Sequence, residues 1–247
     1  MHTQVAVITG GSLGLGAALA EGLARQGWSL VIDGRDAAVL EAEVDRLRAI
    51  HAERPGSAVA GIVGDVTDIA HRGALAEAVG TFGRADLVVL NASTLGPSPQ
   101  PLLVDYPLDE LRRVYEVNTI APLAVLQDLA PWLRQGDDPR AIAVSSDAAV
   151  EPYAGWGGYG SSKAALEQLG AIWGAEQPWC RTWTVDPGDL RTRLHQEAFP
   201  GEDISDRPEP ATVIPALLGL IASDRASGRV RLADLPVGRS AASEPVR

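Results

Sequence analysis

The sequence contains very little cysteine and no long apolar run. Cys180 is the only cysteine among the 247 residues, so an intrachain disulfide cannot form. Together with the lack of an apolar signal segment before the first strand-like residues, this single thiol predicts a reducing, cytoplasmic location. No stretch approaches the ~20 consecutive apolar residues that a membrane-spanning helix needs. A membrane protein is therefore not expected.

Clustered histidines and an excess of positive charge are also missing. The four histidines, His2, His51, His71 and His195, are far apart and show no metal-ligand spacing, so no metal site is predicted. The formal net charge is −11. A chain this acidic repels phosphate backbones and anionic lipid, so binding to nucleic acid or to a membrane surface is not expected.

Short apolar runs alternate with helix-like segments along most of the chain. Because the strand-like runs are apolar throughout, they predict a parallel sheet that is covered by helices on both faces. With 46% hydrophobic and 21% charged residues, the composition is typical of a folded globular protein. The sequence therefore predicts a doubly wound α/β (Rossmann) fold of about seven strands in a single domain, residues 1–247.

The boundaries of the predicted elements follow from the same patterns. Strands are predicted at 5–9, 29–33, 58–65, 86–91, 141–146, 182–186 and 229–233. Helices are predicted at 17–27, 37–50, 73–79, 108–133, 158–176 and 211–222. Pro122 and Pro131 lie within the long fourth helix and predict a bend there. Residues 199–210 are predicted to be a loop, and the tail after about residue 236 is predicted to be disordered.

A glycine-rich segment, TGGSLGLG at 9–16, joins the first predicted strand to the first predicted helix. Gly10 permits a tight turn, and Gly14 and Gly16 let the backbone approach a diphosphate and let the helix pack closely on the sheet. The helix N-terminus adds free N–H groups and a partial positive charge. The segment therefore predicts a dinucleotide-binding site.

The spacing T-G-x-x-x-G-x-G resembles that of the short-chain dehydrogenase/reductase family, and the resemblance extends from Val5 to about Ala233. It implies an NAD(P)-dependent oxidoreductase and a homo-oligomer, either a dimer or a tetramer. The cofactor would be held by residues of the glycine-rich segment, namely Thr9, Gly10, Ser12, Leu13, Gly14, Leu15 and Gly16.

The end of the second strand predicts which dinucleotide is bound. Members of this family that use NAD usually carry an acid at the position that Gly34 occupies here, and Arg35 follows it. A guanidinium pairs with the 2′-phosphate of NADP, so the sequence favours NADP over NAD. Asp33 leaves NAD open, because a twist or bulge of the strand would bring its carboxylate near the ribose.

Two further strand ends match positions that contact the cofactor in the resembled family. Asp65 and Val66 correspond to the pair that contacts the adenine ring. Asn91 and Ala92 begin the segment Asn-Ala-Ser, where the family has Asn-Ala-Gly. Ser93 is therefore a departure from the family pattern, close to the expected cofactor.

The resemblance also implies a catalytic set of Asn118, Ser146, Tyr159 and Lys163. Ser146 is selected over its neighbour because the family's serine lies thirteen residues before the tyrosine. Tyr159 and Lys163 share one helical face, and a lysine cation would lower the pKa of the phenol. Tyr159 would then act as general acid or base, while Ser146 binds the reacting oxygen. In the family, the asparagine bends its helix and holds a water that links to the lysine.

The segment after the sixth strand matches the part of the family that covers the nicotinamide, and it includes Pro187, Gly188 and Thr192. The loop that follows carries Arg191, Arg193 and His195. These three side chains either favour an acidic substrate or form a solvated loop face. Trp156 is either a wall of the substrate pocket or a core residue.

The expected activity is an NADPH-preferring carbonyl reductase or alcohol dehydrogenase that acts on a small molecule. Two alternatives remain open. One is a dinucleotide-binding sensor without catalysis, and the other is a dehydratase or epimerase of the same family. The sequence does not identify the substrate, because loops build its pocket.

Overall fold

The computed structural model describes residues 3–52 and 56–235 of the chain. Within these residues, seven parallel strands form one sheet in the order β3-β2-β1-β4-β5-β6-β7. The strands are β1 (Val5–Ile8), β2 (Ser29–Gly34), β3 (Val59–Val63), β4 (Leu87–Leu90), β5 (Arg140–Val144), β6 (Arg181–Asp186) and β7 (Gly228–Arg231). The prediction of a doubly wound α/β sheet is confirmed.

Helices cover both faces of the sheet. The α-helices are α1 (Gly14–Arg25), α2 (Ala37–His51), α3 (Ile69–Gly80), α4 (Leu108–Tyr115), α5 (Ala121–Leu133), α6 (Gly157–Glu176), α7 (Arg193–Ala198) and α8 (Ile214–Ile221). One apolar cluster joins the sheet to α1, α2 and α8, and a second joins it to α3, α5 and α6. Side chains alternate along each strand, so Val7 and Ile8 enter opposite clusters.

The strand order reverses between β1 and β4. Strands β2 and β3 lie on one side of β1, and β4 to β7 lie on the other. Such a reversal leaves a crevice at the carboxyl ends of the strands, where open α/β sheets bind their ligands. The glycine-rich segment after β1 and the Asn-Ala-Ser segment after β4 meet at this crevice.

The helix predicted at 108–133 is interrupted. Helix α4 ends at Tyr115, and Glu116–Ile120 form a single π-helical turn before α5 begins. Pro122 lies in the first turn of α5, where a missing N–H costs nothing, and Pro131 lies inside that helix. The predicted distortion is therefore present, and it is centred on Asn118 rather than on a proline.

Other boundaries also differ from the prediction. Helix α3 begins four residues earlier than predicted, because the carboxylate of Asp68 accepts a hydrogen bond from the Ala70 N–H and caps it. Residues 193–198, predicted as part of a loop, form α7. Residues Pro210–Val213 form a 3₁₀ turn before α8. The predicted disordered tail lies outside the described residues.

Candidate active site

The glycine-rich segment makes a tight backbone turn at the carboxyl end of β1. Gly10 and Gly14 have φ angles of +63° and +57°, in the left-handed region that favours glycine. A Cβ on Gly16 would lie 2.3 Å from the carbonyl oxygen of Gly10. Only a glycine therefore fits at position 16, and α1 begins directly beneath the turn.

Side chains from the neighbouring strand hold this turn in place. The side-chain amide of Asn91 donates to the carbonyl oxygens of Thr9 at 3.0 Å and Gly10 at 2.9 Å. The hydroxyl of Thr9 accepts from the backbone N–H groups of Asn91 and Ala92. Hydrogen bonds between the side chain of each residue and the backbone around the other thus fix the shape of the turn.

Asp33 does not offer a free carboxylate to a ribose. One oxygen accepts from the Gly10 N–H at 2.6 Å, and the other lies 3.0 Å from the Nε2 of buried His71. The side chain is 2% exposed. Its hydrogen bonds tie β2 to the glycine-rich turn and to α3, so the possibility that Asp33 serves as a ribose-binding acid is not favoured by the geometry.

The next two residues, Gly34 and Arg35, lie at the carboxyl end of β2. A Cβ on Gly34 would lie 2.5 Å from the Ser12 hydroxyl oxygen, so an acid at this position would require Ser12 to move. Arg35 is exposed, lines the cleft and forms no salt bridge within the described part of the chain. Its charge helps to lower the pKa of Asp65, against the effect of burial and together with hydrogen bonds from Thr67.

A single cleft of about 380 Å³ runs from this end of the sheet to the predicted catalytic residues. Three of the predicted site residues, Thr9, Gly16 and Asn118, lie behind its surface and support it. The others line it, namely Gly10, Ser12, Leu13, Gly14, Leu15, Arg35, Asp65, Val66, Asn91, Ala92, Ser146, Tyr159, Lys163, Pro187, Gly188 and Thr192.

Tyr159 lies at the centre of the reacting end of the cleft. Burial raises the pKa of its phenol, while hydrogen bonds with the hydroxyls of Ser146 and Ser93 act in the opposite direction. The prediction that the chain's own groups lower this pKa is therefore wrong: the net direction is upward, because a buried phenolate is poorly solvated. The neutral phenol is a proton donor at neutral pH, as general acid catalysis requires.

Lys163 is buried beside Tyr159. Its Nζ donates to the carbonyl oxygen of Val144 at 2.8 Å and lies 5.6 Å from the centre of the Tyr159 ring. Burial lowers the pKa of Lys163 from 10.5 to about 7. The ammonium is thus only partly populated at neutral pH.

Asn118 occupies the π-helical turn and has all of its side-chain hydrogen-bonding groups engaged. Its amide oxygen accepts from the Thr94 N–H at 2.9 Å and the Ser93 hydroxyl at 3.1 Å. Its amide nitrogen donates to the Thr94 carbonyl and to the Ser162 hydroxyl. Ser93, the serine that replaces the family's glycine, is thus held by Asn118, and it also acts to lower the pKa of the Tyr159 phenol.

A charged group beneath Ser146 was not found by sequence reasoning. Arg229 of β7 donates to the Ser146 carbonyl at 3.3 Å and pairs with Glu167 at 2.9 Å and Asp186 at 3.2 Å. The hydroxyl of Ser145 also donates to Glu167 at 2.6 Å. No local motif marks this network, because its members are distant in sequence and meet only through the sheet order.

The loop after β6 closes over the glycine-rich turn. The Thr192 hydroxyl accepts from the His195 N–H and caps α7, and a Cβ on Gly14 would lie 3.4 Å from the Thr192 methyl group. Arg191 pairs with Glu209, and Arg193 pairs with Glu197 at 2.8 Å. The two arginines are therefore already neutralised, which disfavours the acidic-substrate interpretation.

Lys163 gives a titration that can be measured directly. The unfolded chain keeps this proton up to about pH 10.5, whereas the folded protein loses it near pH 7. Between these values the unfolded state binds more protons, so the contribution of Lys163 to stability rises with pH, and its full cost is present below pH 7. We expect Lys163→Met to have the larger free energy of unfolding at low pH, where Lys163 has its full cost. This difference from the parent should shrink by up to about 1.4 kcal/mol for each pH unit as the pH rises through this window.

Lys163 is the only lysine in the sequence, which allows the pKa itself to be observed. With isotope-labelled lysine, one side-chain NMR signal is expected, with a titration midpoint near 7 in the folded protein. A midpoint near 10 would contradict the buried position. Urea denaturation at pH 6 and pH 9, for the parent and Lys163→Met, provides the matching stability measurement.

The described residues contain no group of three or more His, Cys, Asp or Glu side chains placed to hold a metal ion. In the same ranges, no helix is both long enough and apolar enough to cross a membrane. Cys180 is buried as a free thiol.

Comparison with known proteins gives a consistent family assignment. Residues 4–203 match the family model described as short chain dehydrogenase. A short-chain dehydrogenase/reductase of Arabidopsis thaliana is 30% identical over 88% of this chain and 83% of its own length. A short chain dehydrogenase of Shigella flexneri has a TM-score of 0.85 and 25% identity, with 95% of this chain and 92% of that chain covered.

One further solved structure was determined with a cofactor-like ligand. An alcohol dehydrogenase from the archaeon Thermococcus sibiricus, complexed with 5-hydroxy-NADP, has a TM-score of 0.82 and 26% identity. The match covers 93% of this chain and 96% of that chain.

Proposed function

The chain belongs to the short-chain dehydrogenase family, and on that premise we propose that it is an NADPH-preferring oxidoreductase that interconverts a carbonyl group and an alcohol. The observation that carries this proposal is that Ser146, Tyr159 and buried Lys163 line one end of the cleft that begins at the glycine-rich turn, with the Lys163 Nζ 5.6 Å from the Tyr159 ring centre. The whole chain, residues 1–247, would form a single domain that both binds the cofactor and carries the catalytic residues.

The residues of the cleft fit a dinucleotide. The absence of a side chain at Gly16 and the left-handed turns at Gly10 and Gly14 leave backbone N–H groups at the N-terminus of α1, where a diphosphate is favoured. Asp65 and Val66 would contact the adenine, and Thr192 would contact the carboxamide. When bound, the cofactor supplies the hydride, which is the difficult part of the chemistry.

The chain's own residues would manage the proton. In the reducing direction, Tyr159 donates its phenolic proton to the carbonyl oxygen as the alcohol forms. The hydroxyls of Ser146 and Ser93, which donate to Asp147 and Asn118 before the transfer, would then turn their protons toward the phenolate and stabilise it, in keeping with their effect on its pKa. Lys163, when charged, would stabilise the same phenolate electrostatically, since its Nζ lies 5.6 Å from the centre of the Tyr159 ring. Asn118 positions Ser93 through its amide oxygen.

The activity is tested by screening a panel of aldehydes and ketones while following NADPH absorbance. Turnover of at least one carbonyl compound, with one alcohol formed for each NADPH consumed, is the expected result. Product isomers that form without net oxidation of NADPH would contradict the proposal and favour a dehydratase or epimerase.

Arg35 is the residue proposed to select NADPH. It is exposed at the end of the cleft, where the ribose 2′-phosphate would lie, and it forms no salt bridge within the described residues. The NADP ligand of the archaeal relative supports the same preference. We expect Arg35→Ala to weaken NADPH binding by about 10-fold through loss of a charge-assisted hydrogen bond, and to leave NADH binding nearly unchanged.

Fluorescence titration of both cofactors measures this preference. Arg48→Ala is the matched control, because Arg48 is an exposed arginine of α2 that pairs with Asp45 and does not line the cleft. Tighter binding of NADH than of NADPH by the parent protein would refute the cofactor assignment.

A homo-oligomer is proposed from the family resemblance. Exposed apolar side chains on the elements that carry Asn118 and Tyr159 support it, with Ile120 of the π-helical turn 49% and Ile172 of α6 42% exposed. The number of copies stays a prediction, as does the cytoplasmic location.

A further inference from the structure

Asp147 places a carboxylate next to the proposed catalytic serine. One of its oxygens accepts from the Ser146 hydroxyl at 2.9 Å and from the Ala148 N–H at 2.8 Å, and the other accepts from the Tyr153 hydroxyl at 2.9 Å. All three donors are neutral. No lysine, arginine or histidine among residues 3–52 and 56–235 forms a salt bridge with Asp147, which lines the cleft.

Lys163 donates to the Val144 carbonyl oxygen, and the other basic side chains near this end of the cleft pair with acids other than Asp147 or lie close to them. Arg193 pairs with Glu197 at 2.8 Å, and the His195 Nδ1 lies 3.8 Å from Asp189. Arg191 likewise pairs with Glu209, farther along the same loop. The negative charge of Asp147 is therefore left without a cation from the described part of the chain.

An aromatic cluster adjoins the carboxylate through Tyr153, whose hydroxyl donates to Asp147. The Trp156 ring packs 5.8 Å from the Tyr159 ring, 6.4 Å from the Tyr153 ring and 6.1 Å from the Phe199 ring, measured between centroids. The faces of aromatic rings attract cations, and tryptophan does so most strongly. A carboxylate beside such rings is a suitable environment for a positively charged nitrogen.

The distances relate this environment to the reaction. The reacting oxygen must lie within one hydrogen bond of the Ser146 hydroxyl, at about 2.8 Å. Since the Ser146 hydroxyl is itself 2.9 Å from the Asp147 carboxylate, that carboxylate lies within about 6 Å of the reacting oxygen. A nitrogen two or three carbons from the reacting carbon can span this gap.

We propose that Asp147, together with the Trp156 ring, makes the cleft selective for carbonyl or alcohol substrates that carry a protonated nitrogen close to the reacting carbon. This inference rests on the proposed oxidoreductase function and names its substrate class. The charge of Asp147 also helps to raise the pKa of Tyr159, behind the larger effect of burial. A bound cation would offset that charge, so a cationic substrate would assist proton transfer as well as binding.

Matched pairs of ketones test this selectivity. Each pair consists of a β-dimethylamino ketone and its carbon isostere, in which a CH group replaces the protonated nitrogen. The pairs differ from one another in the length of the substituent on the other side of the ketone. We expect the parent protein to show a kcat/KM for the amino ketone at least about 10-fold above that for the isostere, because a charge-assisted hydrogen bond to Asp147 is made with one and not the other.

Variants of Asp147 separate charge from shape. Asp147→Asn is expected to lower the ratio of the two kcat/KM values by about 10-fold, and Asp147→Glu, which keeps the charge, is expected to retain most of the preference. Glu151→Gln removes one negative charge from an exposed neighbour that does not line the cleft, and it should leave the ratio unchanged. The near-ultraviolet circular dichroism of each variant reports whether the aromatic cluster is intact.

The outcomes for the two proposals are distinct. A parent ratio near one, or a ratio that Asp147→Asn leaves unchanged, overturns the substrate assignment while turnover of the neutral ketones upholds the oxidoreductase. If NADPH binds but no member of any pair is reduced, the oxidoreductase proposal fails, and the substrate assignment that rests on it fails with it.

Discussion

Tyr159→Phe is expected to reduce kcat for NADPH-dependent carbonyl reduction by about 100- to 10,000-fold, the range that a positioned general acid contributes. The phenol is the acidic group that contacts Ser146 at the reacting end of the cleft, and phenylalanine cannot donate a proton. The ring itself is retained, so its packing against Leu95, Ala148 and Trp156 should persist. NADPH affinity is therefore expected to change little.

Single-turnover kinetics and a cofactor titration measure these two effects separately. Tyr115→Phe is a suitable control, since Tyr115 is a half-buried tyrosine at the end of α4 that does not line the cleft. It should retain both turnover and binding. Unchanged turnover in Tyr159→Phe would show that the proton comes from another group and would overturn the mechanism.

Gly16→Ala is expected to weaken NADPH binding by about 100-fold and to destabilise the protein by about 3 kcal/mol, at the upper end of the usual cost of overpacking. The added Cβ would lie 2.3 Å from the Gly10 carbonyl oxygen and 2.6 Å from the Asn91 amide nitrogen. These atoms belong to the hydrogen bond that holds the turn. Alanine favours a helix over glycine by about 1 kcal/mol, which is too little to compensate.

Gly73→Ala is expected to have the opposite effect on the stability of the protein. Gly73 lies in α3, and a Cβ there would meet nothing within 4 Å. That substitution should stabilise the protein by about 0.5–1 kcal/mol and leave NADPH binding intact. Chemical denaturation and a cofactor titration of both variants measure the contrast. Normal NADPH affinity in Gly16→Ala would show that the turn does not hold the diphosphate.

The positions of Asp33 and Tyr159 show where sequence reasoning stopped. The sequence left open whether a twist or bulge brings the Asp33 carboxylate toward the ribose, and in the structure both carboxylate oxygens are instead held, by Gly10 and His71. For Tyr159, the spacing to Lys163 correctly brought the two residues together. The direction in which the pKa of the phenol is shifted depended instead on burial, which is set by contacts from several elements.

Residue order alone determined the features that depend on local chemistry. Apolar runs alternating with helical segments predicted the parallel sheet, because strands buried on both faces have no polar side. The glycine spacing predicted the turn after β1, because only glycine tolerates the positive φ angles and the close approach at Gly16.

Tertiary structure decided which distant groups neutralise one another. Arg229 came to lie beneath Ser146, and Ser93, bonded to Asn118, came to act on the pKa of Tyr159, while no cation from a distant described element came to pair with Asp147. The physical reason is that charge balance and desolvation depend on distances between elements, which the order of strands in the sheet sets and a local sequence pattern does not encode.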